Sequence, residues 1–183
     1  VSNLSYILFG VTLMTPLGMT GALAHLVFHS FMKICSFLCA WAVMHQTDRN
    51  YVHELDGLGH RMPRVSLCFT VAALALMGVP GLCGFVSKWH LAKAAVECGE
   101  PLAYAGVAAL LLSALLTAIY MIGIVVRAFF PKGDFDYSTI EDVREPGWRM
   151  LVPLLVFAAL IVCFGLRSGP VIKMLEAVAF GAM

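Results

Sequence analysis

Between Gly18 and Met44 the chain runs for 27 residues with a single formally charged side chain, Lys33. A helix of roughly 20 apolar residues crosses the hydrocarbon core of a bilayer, so this stretch is long enough to span and commits the chain to a membrane fold. Two histidines, His25 and His29, precede the lysine at intervals of four. At about 100° per residue, steps of four drift by only ~40°, which places all three near one face of a helix. Gly21 and Ser36 extend the same small and polar stripe, while leucine, phenylalanine and valine fill the rest. A charge at membrane depth is costly and usually faces a polar interior. Lysine carries protons well in such surroundings because desolvation penalises its charged form, and histidine as a residue type titrates near neutrality. The stripe therefore reads as a proton or cation relay.

The rest of the composition agrees. Soluble domains have about a quarter of their residues charged; here 13% are charged and 61% are hydrophobic. A net charge of +1 without a basic run offers no footprint for nucleic acid. The six cysteines, Cys35, Cys39, Cys68, Cys83, Cys98 and Cys163, form no CxxC pair and read as packed thiols rather than disulfides or metal ligands. The first residue is Val1, in the middle of an apolar pattern and without a charged leader, so the chain reads as the C-terminal part of something longer.

Taken in order, residues 1–17 read as a span cut short, with Pro16, Gly18 and Gly21 turning into the long helix. Residues 45–64 form a polar connector in which Tyr51, Val52, Leu55 and Leu58 have enough apolar character to lie at the membrane interface. A third apolar stretch, residues 65–79, ends in the motif GVPGLCGFVSKW. Pro80 with Gly78, Gly81 and Gly84 is costly within a helix, so this motif predicts a helix broken inside the membrane. Lys88 follows the break, then His90, Lys93 and Glu97. A discontinuous helix carrying lysine is an architecture of ion sites near the bilayer midplane; the alternative is an interfacial lysine beside Trp89. Residues 102–130 form a long helix in which Ser113, Thr117 and Tyr120 share a stripe, able to line a water path but more in keeping with helix packing. A second polar loop, residues 131–148, holds Asp134, Asp136, Glu141, Asp142 and Glu145. Residues 149–167 give a last span anchored by Trp148 and Arg167, and the tail reads as a short surface helix. The fold expected is an all-α, polytopic transmembrane bundle.

With both lysine motifs placed, the chain resembles the C-terminal half of the antiporter-like subunit shared by respiratory complex I, Mrp-type multisubunit cation/proton antiporters and membrane-bound hydrogenases. The resemblance rests on GALAHLVFHSFMKICSFLCAWAVMHQT at residues 21–47, LDGLGHRMP at 55–63 and GVPGLCGFVSKW at 78–89, and it extends to about Phe130. It implies a helical subunit of two inverted repeats, each with a broken helix, joined by a polar axis along the membrane plane. Residues 1–130 would then be the second repeat, and 131–183 the polar loop, last span and tail. The resemblance assigns His25, His29 and Lys33 to a relay helix and Lys88 to the lysine of the broken helix, at the exit of the proton path. A key lysine just before Val1, and the glutamate–lysine pair of the first repeat, would lie upstream. The SKW form of the motif looks closer to the D-type member of the Mrp antiporters.

The function this implies is translocation of protons, or of protons against sodium, by one subunit of a larger complex in an energy-conserving membrane such as the bacterial plasma membrane. Such a protein would perform no bond chemistry, require no cofactor or metal, and partner other membrane subunits, in an Mrp-type antiporter, an NADH–quinone oxidoreductase or a hydrogenase. Proton relay residues are His25, His29, Lys33 and Lys88; His90, Ser113, Thr117 and Tyr120 are further candidates for a relay or water path. A competing reading takes HxxxH as two metal or haem ligands with Cys35 and Cys39 on nearby turns. Against it, Lys33 occupies the next position on that face and would repel a cation. The same helices could also serve only to hold a complex together, with Lys33 paired to an acid elsewhere.

Overall fold

The computed structural model describes residues 2–49, 51–131, 133 and 136–181; Val1, and Lys132 and Asp134 of the polar loop, lie outside the described residues. Among the described residues all regular structure is helical: α1 (Ser2–Thr12), α2 (Pro16–Thr47), α3 (Leu58–Arg61), α4 (Pro63–Met77), α5 (Cys83–Cys98), α6 (Pro101–Phe129), α7 (Trp148–Leu166) and α8 (Gly169–Gly181). Short 3-10 turns occupy Val52–Glu54 and Tyr137–Ile140. Of these, α2, α6 and α7 are each long and apolar enough to cross a membrane.

Helix α2 is the axis of the bundle, in contact with α1, α4, α5, α7 and α8. Its start is fixed chemically: the Thr15 hydroxyl accepts the Gly18 N–H at 3.0 Å, and Pro16 occupies the first turn, where no N–H is needed. Gly18 and Gly21 therefore lie inside the helix rather than in the turn expected from the sequence. They serve close packing instead. A Cβ on Gly18 would meet the Gly10 carbonyl oxygen of α1 at 2.6 Å, and one on Gly21 the Leu91 nitrogen of α5 at 3.1 Å. The helix stops at Asp48, which adopts a left-handed conformation (φ 53°) and returns its N–H to the Met44 carbonyl.

The break expected near Pro80 is present. Helix α4 has 15 residues, roughly 22 Å at 1.5 Å per residue and short of a full crossing. It ends at Gly78, whose φ of +96° is open to glycine and whose N–H reaches the carbonyls of Leu74 and Ala75. The chain re-enters helix at Cys83. The two half-helices touch so closely that a Cβ on Gly84 would run into the Ala75 carbonyl. From the other side, Gly165 of α7 packs on the Gly81 carbonyl and Leu82, where it too has no room for a Cβ. Protein thus packs on both flanks of the break, while Val79, Pro80 and Gly81 at its centre stay exposed.

The remaining elements close the bundle. The connector after α2 is docked, not merely interfacial: Leu58 is buried, while Tyr51 and Val52 stay exposed. It caps the end of α6, because the Gly57 N–H donates to the Arg127 carbonyl (3.2 Å) and His60 Nε2–H donates to that of Phe129 (2.8 Å). Helix α8 is more than a surface helix, since it buries Ile172, Leu175 and Ala179 and packs on α2. All six cysteines are free; Cys35, Cys39, Cys68 and Cys83 are buried, whereas Cys163 is exposed on α7. Outward, α6 presents Leu111, Leu112, Leu115, Leu116 and Ile119, and α7 presents Val152, Leu155 and Val156. Such a belt suits lipid or neighbouring membrane helices.

Candidate functional site

Buried polar side chains concentrate where α1, α2, α5 and the broken end of α4 meet. Lys88, one turn into α5, is only 6% exposed. Its ammonium turns back across the break and donates to the carbonyls of Leu76 (2.7 Å) and Met77 (3.1 Å). The last carbonyls of a helix lack partners within it and carry the negative end of its dipole, so the end of α4 is a natural seat for a cation. Gly78 leaves the lysine its path: a Cβ there would lie 3.1 Å from Lys88 Cδ. The ammonium also stands 5.7 Å from the centre of the Tyr6 ring, within cation–π range. The sequence left an interfacial lysine open as an alternative; here Trp89 is exposed and Lys88 points inward.

His25 is fully buried on the facing side of α2. Its Nδ1 lies 2.9 Å from the hydroxyl of Ser87, the residue before Lys88, and Ser87 also donates to the Gly84 carbonyl at 3.2 Å. The Tyr6 ring meets His25 edge-on at 5.4 Å, and the His29 ring stacks on it at 5.7 Å. Nε2 of His25 and Nε2 of His29 are both buried and without a hydrogen-bond partner among the described residues. Buried polar atoms are nearly always paired, so these two ring nitrogens on consecutive turns are the open hydrogen-bonding positions of the cluster.

The structure therefore joins three of the expected relay residues, His25, His29 and Lys88, through Tyr6 and Ser87. Lys33 follows His29 by one turn, half-buried, with its ammonium 5.5 Å from the Phe37 ring centre. The gradual change from a buried His25 to half-buried His29 and Lys33 is the ~40° drift per four residues made visible. The other candidates stand apart. His90 is two residues beyond Lys88, about 200° around the helix, and bonds the Val86 carbonyl on its own helix. Thr117 is buried with its hydroxyl on the Ser113 carbonyl, and Tyr120 is exposed, so the stripe on α6 is divided between packing and surface. Ser113 does line a cavity of about 270 Å³ between α1 and α6 with Ser2, Ser5 and Tyr6. Ser36 returns its hydroxyl to the Met32 carbonyl within α2.

Sequence reading missed Tyr6 and Ser87. Tyr6 is 19 positions from His25 and Ser87 is 62, so only tertiary packing unites them. The one available signal was a serine directly preceding a membrane lysine. As for a metal centre, no group of three or more His, Cys, Asp or Glu side chains capable of holding an ion occurs among the described residues. Cys35 points its thiol toward the carbonyls of Cys68 and Leu154.

A helical membrane bundle with buried basic groups gathered at a broken helix is an architecture of membrane proteins that handle ions. Comparison with known proteins gives the family. Residues 1–117 match the NADH:quinone oxidoreductase/Mrp antiporter transmembrane family, and the chain belongs to it. It is 32% identical over 182 residues to NADH-quinone oxidoreductase subunit N of Desulforudis audaxviator, a match covering 94% of this chain and 36% of that protein. It is 29% identical over 168 residues to the D-type component of the Na(+)/H(+) antiporter of Bacillus subtilis, covering 92% of this chain and 33% of the relative. In fold it is similar to a chain of the Mrp complex from a Dietzia species, with a TM-score of 0.84 at 22% identity, over 97% of this chain and 40% of that one. The chain thus spans about a third of the length of these curated relatives.

Proposed function

We propose that this chain is the second-repeat portion of a subunit that moves protons across an energy-conserving membrane as part of a multisubunit complex, either an Mrp-type antiporter exchanging protons for sodium or an NADH–quinone oxidoreductase. Family membership supports the broad reading, since its relatives' names span both kinds of complex. The observation that carries the finer one is the Lys88 ammonium, buried and seated on the free carbonyls of α4. Residues 1–130 would form the translocating unit, and 131–183 the loop, last span and tail.

In this reading protons pass along Lys33, His29, His25 and Lys88 without bond chemistry in the protein. Each group takes up a proton and releases it again as neighbouring charges change, so transport runs on electrostatic coupling between close titrating sites. The orphaned Nε2 atoms of His25 and His29 are the acceptors this requires. The carbonyls of Leu76 and Met77 hold the lysine ammonium in place, and a positive charge arriving on the histidine side repels it.

The parent complex in sealed vesicles, with internal pH followed while NADH or a sodium gradient is supplied, tests the reading. Proton movement driven by NADH identifies an oxidoreductase-type parent; movement driven by sodium alone identifies an antiporter. Proton movement at the wild-type rate in Lys33→Ala or in Lys88→Ala would overturn the relay.

A further inference from the structure

We propose that Ser87 is a positioning residue that fixes the tautomer of His25, and thereby makes Nε2 the atom through which protons enter and leave that ring. This rests on the relay reading above and assigns a role within it to a residue outside the expected set.

The pattern of hydrogens follows from the bond that Ser87 makes within its own helix. The Ser87 hydroxyl has one proton, and at 3.2 Å it has the Gly84 carbonyl to receive it. A carbonyl is only an acceptor, so with that bond made the serine oxygen offers a lone pair toward His25 Nδ1, 2.9 Å away. Neutral His25 must then carry its hydrogen on Nδ1, which leaves Nε2 as a bare acceptor. Nε2 is the atom without a partner among the described residues, as is Nε2 of His29 on the stacked ring one turn away. His25 and Ser87 are both fully buried, so bulk water does not scramble the arrangement.

The consequence is a single exchanging atom on the ring. A proton arriving at Nε2 produces an imidazolium that keeps its Nδ1–H on Ser87, and release from Nε2 restores the starting state. Ser87 neither gains nor loses a proton. Were the tautomer reversed, Nε2 would carry hydrogen already and the ring could accept only at Nδ1, which Ser87 occupies. The hydroxyl is carried on α5 next to Lys88, so any shift of α5 that moves the lysine also moves the group holding the histidine. Lysine seat and histidine tautomer are thus linked by one turn of helix.

The test compares Ser87→Ala and Ser87→Thr in the intact complex. Ser87→Ala removes one atom and leaves the packing in place. Transport should fall about fivefold, the size of one neutral hydrogen bond, while assembly is unchanged, and Ser87→Thr, which keeps the hydroxyl, should restore most of the rate. Nitrogen NMR of labelled histidine, with His25 assigned by its loss in His25→Gln, should show Nδ1–H in the wild type and in Ser87→Thr, and a gain of Nε2–H in Ser87→Ala. An unchanged tautomer in Ser87→Ala, or transport at the wild-type rate there while Lys88→Ala is inactive, overturns the role of Ser87 and leaves the relay standing. Wild-type transport in Lys88→Ala as well would instead bring down the relay itself.

Discussion

The ammonium of Lys88 donates to the carbonyl of Leu76 at 2.7 Å, across a gap in the helix that sequence distance alone would not bridge. The donor stands one turn into α5 and the acceptor in the last turn of α4. The break is therefore what creates the site: it frees carbonyls at one helix end and delivers a cation to them from the next. An unbroken helix would consume the same carbonyls in its own ladder.

Gly84→Ala should damage the bundle. Its Cβ would run into the Ala75 carbonyl, and the obstacle is backbone, which cannot swing aside. Overpacking of this kind costs about 1–3 kcal/mol. The expected result is a lower melting temperature of the detergent-solubilised protein, read against Gly123→Ala in α6, where an added Cβ meets nothing within 4 Å and no loss is expected.

Gly78→Ala should act on transport more than on assembly. Alanine at φ +96° is strained by about 1–2 kcal/mol, and its Cβ would press on Lys88 Cδ at 3.1 Å. The rate of proton movement in vesicles should fall although the protein still inserts. A variant with wild-type rate would show that the lysine does not need its present path.

His60→Ala should affect stability and spare transport. The imidazole donates to the Phe129 carbonyl at 2.8 Å and so secures the end of α6, far along the chain from the relay residues. Losing it should cost about 1 kcal/mol, visible as earlier thermal unfolding. A large loss of transport at unchanged stability would give this residue a different role.

Arg64→Ala should do little. Its ion pair with Glu145 measures 3.5 Å and the arginine side chain is 56% exposed, so the pair contributes less than about 1 kcal/mol and weakens with salt. The Arg64 guanidinium also lies 5.5 Å from the Trp148 ring centre, which adds packing at the entry to α7. Glu145→Gln, which keeps the shape and an oxygen to accept the Arg64 backbone N–H, should be nearly silent in a thermal melt at high salt.

Much of the fold was legible because local chemistry decides it. Pro16 marks the start of α2, Pro80 with its glycines breaks the third apolar stretch, and the length of the apolar runs sets α6 and α7. His25, His29 and Lys88 could be picked out because charge and imidazole are expensive among leucines. What could not be read was which polar groups meet. Ser87 looks like any serine in a helix until α5 packs against α2, and Tyr6 becomes part of the site only when α1 folds over both. Gly18 and Gly21 misled for a related reason: in a membrane, glycine within a helix often serves close approach rather than a turn. The tail likewise gives no sign, residue by residue, that Ile172 and Leu175 cover α2.

The most direct measurement is proton movement in sealed vesicles holding the assembled parent complex, comparing wild type with Lys88→Ala and Lys88→Arg. Both variants should assemble, and both should lose coupled transport. Alanine removes the carrier, and arginine keeps the charge but does not release its proton in the working range. Wild-type transport in either variant would contradict the claim that Lys88 carries the transported proton.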